Sequence, residues 1–158
     1  MLTSNRNVNS GFTLLQLLIT VTIIIILALI AIHFIGRFHR YTALQQAQAL
    51  LLLNGQHLEK SYQHHLSYKK NPTTWVKLYS EQNKHFCVRM SGDPRYHDGN
   101  RYILKAVSLD KNREPRILKL NHHGTILLCQ SSENTCDDES TFFSGNINVD
   151  KNCTIFNR

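Results

Sequence analysis

Residues 12–35 form an almost unbroken apolar run, relieved only by Thr13, Gln16, Thr20, Thr22 and His33. As a helix the run is long enough to cross a hydrocarbon core of about 30 Å. A cleaved secretory signal has a shorter apolar stretch closed by a small-residue cleavage site, whereas this one passes into a helical pattern carrying Arg37 and Arg40. The 158 residues therefore divide into one apolar segment and one head of ordinary domain size.

The helical pattern continues beyond the apolar run. Leu44, Ala47, Leu51, Leu58, Tyr62 and Leu66 recur at steps of three, four or seven residues, which predicts one apolar face ready to receive a sheet. Gly55 interrupts it at a cost of about 1 kcal/mol relative to alanine, and Asn71-Pro72 ends it. His57, His64 and His65 fall close together on this helix and read as a solvated face.

Four strand-like runs follow, at residues 85–90, 102–109, 116–121 and 125–130. Breakers separate them: Ser91-Gly92-Asp93-Pro94 with Asp98-Gly99, then residues 110–115, then His122-His123-Gly124. Short connections predict an antiparallel meander, and hence an α+β head. Period-2 reading puts Phe86, Val88, Met90, Leu104, Ala106, Leu118 and Leu120 on the helix side. With hairpins centred near His97 and Asn112, Arg89 falls opposite Lys105 and Lys105 opposite Lys119.

That register draws a cationic row across three strands, about 4.8 Å apart per strand. Like charges set directly opposite destabilise a sheet, so the row suggests an anionic partner, as does the net charge of +7. Arg95 and Arg101 in the first hairpin loop extend it, as do Lys69, Lys70 and Lys77 after the helix. Such groups suit phosphates. A projecting loop with Arg95, Tyr96, His97, Asn100 and Arg101 suits base edges. Trp75 reads as a packing anchor rather than a stacking platform.

All four cysteines, Cys87, Cys129, Cys136 and Cys153, lie in the C-terminal half, which favours two disulfides in an extracytoplasmic head. No spacing suits a zinc site, and no metal or cofactor is expected. The first and fourth strands of a meander lie about 14 Å apart, beyond disulfide reach. Cys87 with Cys129 is thereby excluded, and two pairings remain. The flanking charges conflict with the cysteines: Arg6 before the span and Arg37 and Arg40 after it would place the head in the cytoplasm. No Ser/His/Asp, Cys/His, Walker or paired-carboxylate arrangement stands out, so an enzyme is not expected.

Gly11-Phe12-Thr13-Leu14-Leu15-Gln16-Leu17-Leu18-Ile19, after a short polar leader, resembles the prepilin motif of type IV pilins. The resemblance implies the type IV pilin fold, with a long N-terminal helix on a four-stranded antiparallel sheet (about residues 85–130) and a disulfide-tied C-terminal D-region (130–158). It also implies a leader, residues 1–11, cut by a prepilin peptidase between Gly11 and Phe12, with methylation of the new N-terminus. A transmembrane and assembly helix (12–36) and a head (37–158) would follow, the head lying in the periplasm before assembly into a fibre. Two departures stand out. Gln16 replaces the family's glutamate, and an amide cannot neutralise a neighbouring ammonium in an apolar surrounding. His33 replaces the helix-bending proline, which predicts a straighter helix.

The head resembles the minor pilins of natural competence that bind a DNA uptake sequence. The resemblance runs through Thr73-Thr74-Trp75, Phe86-Cys87-Val88-Arg89, Leu104-Lys105-Ala106-Val107, Leu109-Asp110-Lys111, Leu118-Lys119-Leu120-Asn121, Cys129, Cys136 and Cys153. It implies double-stranded DNA as a partner, with Arg89, Lys105 and Lys119 as the core of the site. Other pilins, the inner membrane and the pilus assembly machinery are the further partners it implies. It also implies the pairing Cys129 with Cys153, which leaves Cys87 with Cys136. The acidic stretch Glu133, Asp137, Asp138 and Glu139 departs from a basic surface and would repel phosphate if it faced DNA. The alternative is a minor pilin or pseudopilin that serves assembly or adhesion without binding DNA.

Overall fold

The computed structural model describes residues 13–71, 73–92, 99–138, 142–143 and 149–156. Gly11, Phe12, Arg95, Tyr96, His97 and Glu139, and the side chain of His33, lie outside the described residues. Two compact units are present, residues 1–39 and 40–158.

Helix α1 runs from Leu14 to His65. Its first turn carries a feature the motif concealed. Thr13 N donates to Gln16 Oε1 at 3.1 Å and Gln16 N donates to Thr13 Oγ1 at 3.4 Å, the reciprocal arrangement of a capping box. Gln16 thus satisfies a backbone donor at the helix start. Within residues 14–35 the large apolar side chains are exposed, Leu14 and Ile32 among them, and the helix is long and apolar enough to cross a membrane.

In the head, Leu44, Ala47, Leu51 and Leu58 are buried as the spacing predicted. Leu66 is not: it is exposed and takes a positive φ of 52°, with its N–H bonded to Tyr62 O at 2.7 Å. This left-handed residue ends the helix before Asn71-Pro72, and the chain turns so that Tyr68 enters the core. Tyr68 stacks on Tyr62 and donates to Glu59 Oε1 at 2.7 Å. Burial, followed by the Glu59 carboxylate, raises both the Tyr68 and Tyr102 hydroxyls well above the ordinary phenol range.

Nine strands follow among the described residues. Strands β1 (Lys69–Asn71) and β2 (Thr74–Trp75) form a small antiparallel pair. The main sheet holds β3 (Phe86–Gly92), β4 (Tyr102–Ser108), β5 (Ile117–Asn121) and β6 (Ile126–Cys129), joined by β9 (Thr154–Ile155) in the order β3-β4-β5-β6-β9. Five strands replace the expected four, because the tail returns and lies against the open edge of β6, with Leu127 opposite Ile155. Between them, β7 (Ser131–Ser132) and β8 (Asp150–Lys151) form another pair.

The register is Arg89 opposite Lys105 and Lys105 opposite Lys119. It sends Phe86, Val88, Leu104, Ala106, Leu118 and Leu120 into one core with α1. On the outer face Cys87, Val107, Ile117 and Cys129 form a second apolar cluster, onto which Phe142 of the tail packs. Disulfides Cys87–Cys136 and Cys129–Cys153 tie that tail down.

Two contacts between helix and head were not legible in the pattern. A Cβ on Gly55 would lie 3.0 Å from Leu120 Cδ2 and 3.3 Å from Tyr102 Oη, so the glycine lets helix and sheet approach closely. Buried Asn54 donates to Leu50 O and Ser80 O and accepts from Ser80 N, at 2.8 to 3.0 Å. It pins the segment that then covers the edge of β3, where Gln82 bridges to Cys87 and Val88 N donates to Glu81 O.

Candidate nucleic-acid interface

Antiparallel pairing brings Arg89, Lys105 and Lys119 into one row, each from a neighbouring strand and each on the face away from α1. The tail then crosses that face. Cys87–Cys136 fastens it beside Arg89, and the short β7/β8 ladder sets Asp150 opposite Ser132.

The expectation of an exposed row is corrected at its centre. Lys105 is only 1% exposed. Its ammonium donates to Asn134 Oδ1 at 2.6 Å and Phe142 O at 3.2 Å, and lies 2.8 Å from Asp150 Oδ1. Lys119 pairs with the other oxygen, Asp150 Oδ2, while its side chain stays 26% exposed. Arg89 is the most open of the three, 36% exposed, with Cys136 O at 3.4 Å and Glu81 Oε2 at 4.0 Å.

The electrostatics follow from burial. For Asp150, desolvation pushes the carboxyl up, but hydrogen bonds from Lys105, Lys119 and Ser132 outweigh it and hold it below the ordinary carboxylate range. Burial lowers Lys105, and the Asp150 partner pulls it part of the way back. The cationic row is therefore an ion-pair network in which one carboxylate serves two ammoniums.

The basic groups named outside the row fall elsewhere. Lys69 and Lys70 lie on β1, which packs at the mouth of the β3–β4 hairpin: Tyr68 N donates to Gly99 O at 3.3 Å. A Cβ on Gly99, whose φ is +73°, would sit 2.9 Å from Lys69 Cδ, and one on Gly92 would sit 2.8 Å from Trp75 Cζ2. Trp75 is thus a packing anchor, with the Lys69 ammonium 5.2 Å from its ring centroid. Arg101 opens the same end of the sheet, immediately before β4, and is half-buried. Lys77 and Arg89 line a hollow of about 420 Å³ with Glu81 and Met90, along the flank of β3.

Sequence reading missed Asp150, Asn134, Phe142 and Glu81. For Asp150 a signal existed: a lone acid three residues before Cys153, in a tail that any disulfide must fold back onto the strands. The acidic stretch is partly occupied elsewhere. Glu133 Oε1 is 3.9 Å from Lys151 Nζ, and Asp138 Oδ2 accepts from Thr135 N at 2.7 Å. Among the described residues no group of three or more His, Cys, Asp or Glu side chains is placed to hold a metal. The arrangement offers no nucleophile from cysteine, since all four are in disulfides. It offers exposed and half-exposed cations, and so attraction for polyanions.

No family model matches the chain, and no curated protein matches it. Solved structures do. The minor DNA-uptake pilin ComP from Neisseria subflava is 36% identical, with a TM-score of 0.56 over 72% of this chain and 94% of that one. The type IV pilin ComP from Neisseria meningitidis is 34% identical over 69% of this chain and 89% of that one, at a TM-score of 0.45. The non-core minor pilin PilV from Neisseria meningitidis is 22% identical over 65% and 98%, at 0.46. The long apolar helix, the antiparallel sheet, the disulfide-tied tail and the 36% identity over nearly all of the first of these place the chain in a family: it belongs to the type IV minor pilins, of the ComP kind.

Proposed function

We propose that the chain is a DNA receptor of natural transformation, a minor pilin whose head binds extracellular double-stranded DNA with preference for an uptake sequence. The observation that carries this reading is the set of accessible cations, Arg89 and Lys77 on the β3 flank and Lys69, Lys70 and Arg101 at the hairpin mouth. They occur on a chain 36% identical to a DNA-uptake pilin. Arg95 belongs to the same hairpin loop by sequence. These groups contact phosphates, and the loop reads bases. Lys105 acts beneath the surface, through the fold of the tail. Cleavage after Gly11 by a prepilin peptidase, methylation of Phe12, a periplasmic head and entry into a pilus complete the reading.

The test is duplex binding by the full chain in detergent micelles, with uptake-type and scrambled duplexes across a salt series. Replacing Lys69, Arg89 and Arg101 together by alanine is expected to weaken binding at least roughly tenfold and to flatten the salt slope by about 0.9 per lost phosphate contact. Unaltered affinity and slope would end the DNA reading. The pairing of Lys105 and Lys119 with Asp150 favours a second reading, a subunit for assembly or adhesion alone, and that null result is what it predicts.

A further inference from the structure

We propose that Asp150 is a built-in counter-ion that occupies Lys119 in place of a phosphate, so that the D-region sets how strongly the head grips duplex DNA. The inference rests on the DNA-receptor reading and adds a device that restrains it. Two ammoniums from adjacent strands converge on the two oxygens of one carboxylate. A phosphodiester offers the same chemistry, a single negative charge shared by two outward oxygens.

The two lysines are not equivalent. Lys105 is sealed by Asn134 and the Phe142 carbonyl and has no route to a ligand. Lys119 is a quarter exposed and ends a flexible four-carbon stem, so it can exchange Asp150 for phosphate without moving the sheet. Two lysines and one aspartate sum to a single positive charge, and neutralising the aspartate doubles it. What keeps Asp150 in place is the tail, through the Ser132–Asp150 register and the Cys129–Cys153 bond three residues further on.

The test uses the full chain in detergent micelles, a labelled duplex and a salt series. Asp150→Asn keeps shape and an acceptor oxygen while removing the charge. It is expected to tighten binding roughly five- to tenfold at low salt and to steepen the salt slope by about one phosphate contact. The gain should vanish in the Lys119→Ala background, where adding Asp150→Asn is expected to leave affinity equal to that of Lys119→Ala alone. Since Asp150→Asn leaves a buried ammonium without its counter-charge, Lys105→Met is compared with Lys105→Met/Asp150→Asn as a second pair, in which no buried charge is stranded. The same gain is expected there.

Asp137→Asn removes an exposed charge from the same tail. An equal gain from it would reduce the effect to net charge and overturn the proposal. Unchanged affinity in both Asp150→Asn comparisons, with the Lys69, Arg89 and Arg101 variant still weakened, would overturn the counter-ion role and leave the DNA reading standing. Absence of duplex binding by the wild type and by every Asp150→Asn variant would remove both.

Discussion

Asp150 joins two lysines to the C-terminal tail, and its ionisation ties the tail to pH. The carboxyl is held below its unfolded value of about 3.9. A depressed acid contributes stability that is fully present above the unfolded pKa and is lost as pH falls through the folded one. The tail is therefore expected to loosen below about pH 4. Hydrogen-exchange protection at residues 131–134 and 149–151, taken relative to the intrinsic rate at each pH, should fall on acidification in the wild type, and Asp150→Asn should flatten that acid limb. An unchanged pH profile in the variant would assign the acid dependence to other carboxylates. Lys105 shows why sequence reading stopped short here. Its strand, face and cross-strand neighbours followed from alternation, but its burial depends on a carboxylate 45 positions later, in a segment without periodicity.

At the level of elements, the hairpins were legible because breakers sit between every pair of strands and one buried face fixes alternation. A one-residue slip would have turned Leu104, Ala106, Leu118 and Leu120 out of the core. The fifth strand was not legible, since two residues carry no period and β9 is placed by a covalent bond. The Cys129–Cys153 loop spans 24 residues, and opening it by Cys129→Ser/Cys153→Ser is expected to cost about 3 kcal/mol. Exchange protection at Leu127 and Leu128 should fall with it, while protection in β4 is kept. Equal loss of protection in β3 to β5 would show that the bond supports the whole sheet. Gly55 belongs at this scale too: as a propensity it is a weakness, and as a spacing device it sets how close α1 and β5 come.

For the molecule as a whole, the apolar side chains of residues 14–35 have no cover in their own unit. Burial is worth about 25 cal/mol per Å² of apolar area, so such a surface requires lipid or the matching helices of other subunits. The full chain is expected to stay with membranes through alkaline carbonate washing and to be released by detergent. Release by carbonate alone would contradict a spanning helix. The apolar run and its continuation into the head were plain in the sequence. The capping role of Gln16 was hidden, because the comparison with an expected glutamate drew attention to the missing charge rather than to the amide that Thr13 uses.

Neither border of the main sheet presents a long open strand. Along β3 the segment carrying Glu81 and Gln82 takes up backbone groups, and beyond β6 the sheet ends in two residues of β9. Open strand borders recruit further strands and lead crowded proteins into amyloid-like stacks, and covered or very short ones suppress this. A subunit concentrated in a membrane, or lined up with many copies of its kin, meets that hazard more than most. With neither border offering a long open strand, the head is guarded against joining its neighbours edge to edge.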